Sequence, residues 1–217
     1  MYIAEKLRKE NVAEYLLYMW QVEDVVRAYG MDIERIGKEY VPQFGLDEEK
    51  SEELKGWYGR IIEMMREENV VERGHLQINK NVLILLTDLH VQLLKSSKHP
   101  FYSAAYYKAL PFIVELRGKE RKGGNGEREG KEGREGGQSG KTALHSGEEE
   151  DRAALGREEE EKGEIENGFE ALYGVMMLRL QKKQISAETS AAVGSIARWI
   201  GMLSEYEKKE KKGEVEF

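Results

Sequence analysis

Val12-Ala-Glu-Tyr-Leu-Leu-Tyr-Met-Trp20 contains a single charged residue, Glu14, and lies within a helical run from about Ile3 to Tyr29. At about 100° per residue, Leu7, Tyr15, Val22, Val25 and Val26 share one broad face, while Leu16, Leu17 and Trp20 fall outside it. A helix that is apolar nearly all round is wrapped by other helices, so the stretch predicts the core helix of an all-α bundle. It also makes Glu14 a misfit, because a carboxylate on a buried surface needs a partner.

Working outward, helix one stops at Gly30, and Met31–Tyr40 forms a short helix with Asp32 as N-cap and Pro42 just past its end. Asp47 caps a helix carrying Leu54, Trp57, Tyr58, Ile61, Met64 and Met65 to about Glu72, with Gly74 as terminator. The next, from about Ile78 to Ser96, is almost as apolar as the first. Its polar strip is Asn81, Asp88, Gln92 and Lys95, and His90 projects instead among Leu83, Leu86 and Leu94. Pro100 opens a helix that Pro111 kinks or divides. After the insert described below, Ile165 to about Gln184 is helical. Ser186 then caps a last helix with a coiled-coil-like seam, Ala192, Ile196, Trp199, Leu203 and Tyr206, before a solvated lysine-rich tail. No segment sustains period-two alternation. The fold class is all-α: a helical bundle of six or seven helices.

The chain has 217 residues, 40% apolar and 35% charged, with a net charge of −7 and a pI near 5.4. Much of the excess charge lies in 118–164, about half charged and a quarter glycine, with no aromatic residue. Such a segment buries too little apolar surface to offset its ordering entropy, so it reads as a disordered, glycine- and charge-rich low-complexity insert. It divides one domain made of 1–117 and 165–217, about 170 residues and enough for a real core. The acidic balance argues against nucleic-acid binding. The chain has no cysteine, which removes disulfides, thiolate nucleophiles and cysteine-based zinc sites. No apolar run is long enough to cross a bilayer, and the N-terminus lacks a secretory pattern. The expectation is a cytoplasmic protein with no membrane and no cofactor.

Gly136-Gly-Gln-Ser-Gly140-Lys141-Thr142 imitates a phosphate-binding loop, but Glu135 stands where the first glycine belongs and no strand precedes it. Glu72-Arg-Gly-His75 has the Glu-x-x-His spacing of di-iron bundles. It occurs once where two are required, so His75 reads as a helix-end histidine and no metal is assigned. Glu14 and His90 are paired here across the two most apolar helices. The preferred reading is a polar pair that fixes helix register, and the sharper one is a titratable pair at a ligand pocket with Tyr102, Tyr106 and Tyr107. The tyrosines read first as core residues. Glu23 and Arg27 read as a surface ion pair, and Arg179, Lys182 and Lys183 as answering a helix dipole. No catalytic triad or dinucleotide loop is present.

Three runs, Ile3–Asp24, His99-Pro-Phe-Tyr-Ser-Ala-Ala-Tyr-Tyr-Lys-Ala-Leu-Pro111 and Ala171-Leu-Tyr-Gly-Val-Met-Met-Leu-Arg-Leu-Gln-Lys-Lys183, resemble a family of small bacterial proteins, mostly from Bacteroidetes, known as a domain of unknown function. The resemblance covers both ordered parts, skips the insert and implies a bacterial cytoplasmic protein with no assigned activity. The residues themselves favour a non-enzymatic protein that binds another protein or forms a homo-oligomer, with the Ile196, Trp199, Leu203 seam read equally as an interface or as intramolecular packing. The alternative is a small-molecule-binding protein or enzyme with its pocket near Glu14, His90 and the tyrosines.

Overall fold

The computed structural model describes residues 2–129 and 163–217, with side chains over 3–115 and 163–217. Among the described residues eight α-helices follow in order: α1 Tyr2–Glu10, α2 Val12–Ala28, the single turn α3 Ile33–Arg35, α4 Glu48–Glu67, α5 Gln77–Lys95, α6 Pro100–Glu129, α7 Glu164–Leu180 and α8 Ala187–Glu210. A π-turn, Ile36–Tyr40, and a 3-10 turn, Val41–Phe44, join α3 to α4. The described residues contain no strand, and the all-α bundle holds.

The helix count exceeds the expected one because the first helix is divided at Asn11. Its backbone turns extended (φ −155°, ψ 98°), and its side chain accepts from the amides of Ala13 and Glu14. Asn is among the best N-cap residues, and here it also accepts from Ser204 Oγ of α8 at 2.8 Å. The break therefore lets α1 turn away while α2 begins against α8. Helix α4 stops earlier than the periodicity implies. Asn69 takes a left-handed conformation (φ 56°), and the amide of Val70 reaches back to Met65 O, a Schellman closure. Pro111 does not divide α6; it is exposed, so the carbonyl it leaves without an amide donor can turn to water. The backbone of α6 continues as helix through 118–129, and the rest of the expected insert to 162 lies outside the described residues, as does the glycine-rich 136–142 run. Past α8, Glu216 O accepts from His99 Nε2 at 3.0 Å, so the end of the expected solvated tail touches the α5–α6 turn.

Helix α2 touches α1, α4, α5, α7 and α8. It buries Val12, Tyr15, Leu16, Met19, Trp20, Val22 and Val26, as a wrapped helix must. Helix α8 lies against α2, α5, α6 and α7, and Ile196, Trp199 and Leu203 are each 0% exposed. The coiled-coil-like seam is therefore intramolecular packing. Gly168 makes this possible on α7: a Cβ there would lie 3.0 Å from Trp199 Cζ3 and 3.3 Å from Ile200 Cδ1. Gly168→Val should cost about 1–3 kcal/mol in urea unfolding through overpacking. Gly201→Ala on α8, with nothing within 4 Å of the new methyl, should instead stabilise by about 0.5–1 kcal/mol.

Candidate functional site

Glu14 is not part of a buried pair. It is exposed, at the third position of α2, and its Oε1 accepts from Asn11 Nδ2 at 2.8 Å. Asn11 caps the helix and Glu14 reaches back to Asn11, a reciprocal capping arrangement. The division at Asn11 that starts α2 thus also explains why Glu14 faces water, and the proposed contact with His90 is absent.

His90, Tyr102 and Tyr106 do come together. His90 on α5 is 5% exposed, enclosed by Tyr102 and Tyr106 of α6 and Trp199 of α8, with ring centroids 5.7, 4.7 and 5.4 Å away. Tyr102 Oη accepts Trp199 Nε1–H at 3.1 Å and lies 2.6 Å from His90 Nδ1. In the tautomer in which Tyr102 Oη donates to Nδ1, the imidazole hydrogen sits on Nε2. That nitrogen faces Glu164 Oε2 at 3.9 Å, and Tyr106 Oη donates to the same carboxylate oxygen at 2.6 Å. Glu164, placed by composition in the insert, is the first residue of α7 and the acidic member of this cluster. Tyr107 points out, 62% exposed.

Burial lowers the His90 pKa from its ordinary value, with Glu164 opposing as the smaller influence, and burial pushes the Tyr102 hydroxyl up. The unfolded chain therefore binds a proton at His90 more readily than the folded one. This contribution to stability is fully present above the unfolded pKa of about 6.5 and is lost as pH falls below it. The drop in urea midpoint between pH 7.5 and 5.5 should be smaller in His90→Gln than in the parent. An equal drop would mean that His90 does not carry it.

A second polar cluster escaped the sequence reading. Glu23 of α2 is fully buried, not a surface partner of Arg27. Its Oε1 accepts from the Leu76 amide at 3.0 Å and Asn79 Nδ2 at 2.7 Å, and its Oε2 lies 2.6 Å from His75 Nδ1. Leu76 is the N-cap of α5 and has no side-chain cap of its own, so Glu23 supplies that cap from another helix. His75 is therefore not the helix-end histidine that its spacing predicts. It sits in the α4–α5 loop, its ring stacked on Trp20 at 4.1 Å and 11°, while Glu72 is exposed. Arg27 binds Asp24 at 3.0 Å and holds the same loop by the carbonyls of Val70, Val71 and Gly74. Asp24 in turn accepts from Tyr173 Oη of α7 at 2.6 Å. A helical count could have found Glu23: it follows Leu16 by seven, Met19 by four and Trp20 by three.

Both clusters tie elements together, but the second leaves Asn79 Oδ1 and the neighbouring Trp20 Nε1 buried without a hydrogen-bond partner. A family model described as domain of unknown function (DUF4924) matches residues 1–129 and 150–214, and the chain belongs to that family. The match extends into both ends of the insert, further than the resemblance read from the three runs. No curated protein and no solved structure matches the chain.

Proposed function

We propose that this protein acts through association, with another protein or with a second copy, as a non-enzymatic α-helical module. One observation carries the reading: the outward surface of α5 presents Ile78, Ile84, Leu85 and Val91, each at least 40% exposed, around Asn81 and Asp88. Four large apolar residues on one solvent-facing helix are more than the single scattered ones that need no explanation. The pocket reading has less support, because rings occupy the space about His90 and Glu14 lies elsewhere. We further infer a bacterial, cytoplasmic setting, supported by the sequence resemblance and the cysteine-free composition. None of the described helices is long and apolar enough to cross a membrane.

Sedimentation of the full chain, alone and as Leu85→Glu, tests the reading together with a photo-cross-linker placed at position 85 in the host. A dimer that Leu85→Glu dissociates, or a defined protein cross-linked at 85, supports it. A monomer with no cross-link, purifying with a stoichiometric metal or small molecule, overturns it.

A further inference from the structure

We propose that the aromatic, acid-edged end of the bundle, over residues 29–57, is a docking surface for a partner-protein segment bearing arginine or lysine. This rests on the association reading and adds where a partner sits and what chemistry it brings.

A continuous run of rings forms the surface. Tyr40 touches Tyr29, Phe44 and Tyr58 at centroid distances of 5.8, 5.2 and 5.8 Å, and Trp57 joins Tyr58 at 5.1 Å. Tyr58 and Trp57 are buried and make the base. Tyr29 and Tyr40 are half-buried, and Phe44 and Leu46 are each 38% exposed. Rings anchored from below and open above are the side chains that dominate binding energy in protein interfaces.

The backbone that presents Tyr40 is unusual. Ile36–Tyr40 is a π-turn closed by the Val41 amide on Ile36 O, a geometry that recurs at functional positions. Buried Ile36 and Val41 pin it from below, and Gly37 lets it close onto the stem of Lys55, where a Cβ would meet Cδ at 2.9 Å.

Charge selects the partner. Residues 29–57 hold eight carboxylates against four cations, a net −4 where the whole chain carries −7. All eight carboxylates are exposed. Glu34 and Glu39 are paired with Lys55 at 2.9 Å and Arg35 at 3.7 Å, and the dipole of α4 accounts for Glu48 and Glu49 in its first turn, but not for Glu52 or Glu53. A second copy would bring like charge against this end, and phosphate-bearing partners would be repelled. The surface already holds one guanidinium in the proposed manner: Arg35 lies 5.6 Å from the Tyr29 ring centroid with Glu39 beside it at 3.7 Å. An incoming arginine would find the same pairing of ring face and carboxylate at Tyr40, Phe44 and the start of α4.

The test is amide chemical-shift mapping on the isotope-labelled full chain, with a nona-arginine peptide as probe and a polyglutamate peptide of equal length as control. The expected result is perturbation confined to residues 29–57, absent with polyglutamate, and weakened about two- to fivefold by Phe44→Ala. Glu48→Lys with Glu52→Lys should weaken it further. No perturbation, perturbation spread evenly over every acidic surface, or insensitivity to Phe44→Ala would overturn the inference. If the peptide fails here while the position-85 cross-link succeeds, this surface falls and the association reading stands.

Discussion

Glu23→Ala is expected to destabilise the protein by about 3–5 kcal/mol, the cost of removing one partner from a buried charged cluster. The carboxylate is 0% exposed and receives His75 Nδ1, the Leu76 amide and Asn79 Nδ2, all within 3.0 Å. Alanine leaves three donors without an acceptor, two of them at the start of α5, and opens a cavity beneath the α4–α5 loop. Glu23→Gln keeps the shape and one carbonyl oxygen, so it should cost less. Glu14→Ala, in the same helix, should cost only about 0.5–1 kcal/mol, the value of a surface capping contact. Urea midpoints at unchanged m-value measure all three. Equal losses at positions 14 and 23 would contradict the burial of Glu23 and the exposure of Glu14.

The contrast between these two carboxylates shows what the sequence could and could not carry. The all-α class was legible because helical spacing runs through every ordered segment, and Asp32, Asp47 and Ser186 cap helices where local chemistry predicts. The division at Asn11 was missed. Residues on both sides of it favour helix, but Asn11 and Glu14 have the spacing of a capping pair that starts a helix, and Ser204, almost two hundred positions away, adds a hydrogen bond to the same Asn11 oxygen. That break sets which way Glu14 faces. In a helix whose apolar arc is this wide, the central stretch does not define one face sharply enough to separate Glu14 from Glu23. Only the longer Leu16, Met19, Trp20, Val26 stripe does so. The His90 site was legible only in part: a histidine on an apolar face demands a partner, and Tyr102 supplies it where Glu14 was expected to. Its acidic neighbour was not legible, because Glu164 ends a segment whose average composition hides a helix start. His75 depended on the path of a loop, which periodicity does not describe.

Trp199→Ala is the other change expected to cost about 3–5 kcal/mol, as for large buried aromatic truncations. Trp199 is 0% exposed and packs against His90 and Tyr106, with its ring 3.0 Å from where a Cβ on Gly168 would stand, so its loss opens the junction of α5, α6, α7 and α8. Trp199→Phe restores most of the packing but removes the indole donor to Tyr102 Oη, which argues for about 0.5–1.5 kcal/mol. Tyr102→Phe should cost more than Trp199→Phe, since it leaves both Trp199 Nε1 and His90 Nδ1 without their partner in a buried site. The double variant Trp199→Phe, Tyr102→Phe then decides whether the hydrogen bond or the ring matters. With the indole nitrogen already gone, deleting the hydroxyl orphans one group instead of two, so the pair should cost less than the sum of the singles by about 0.5–3 kcal/mol. Strict additivity in urea unfolding would mean that Trp199 holds the four helices by shape alone and that Tyr102 serves His90 independently.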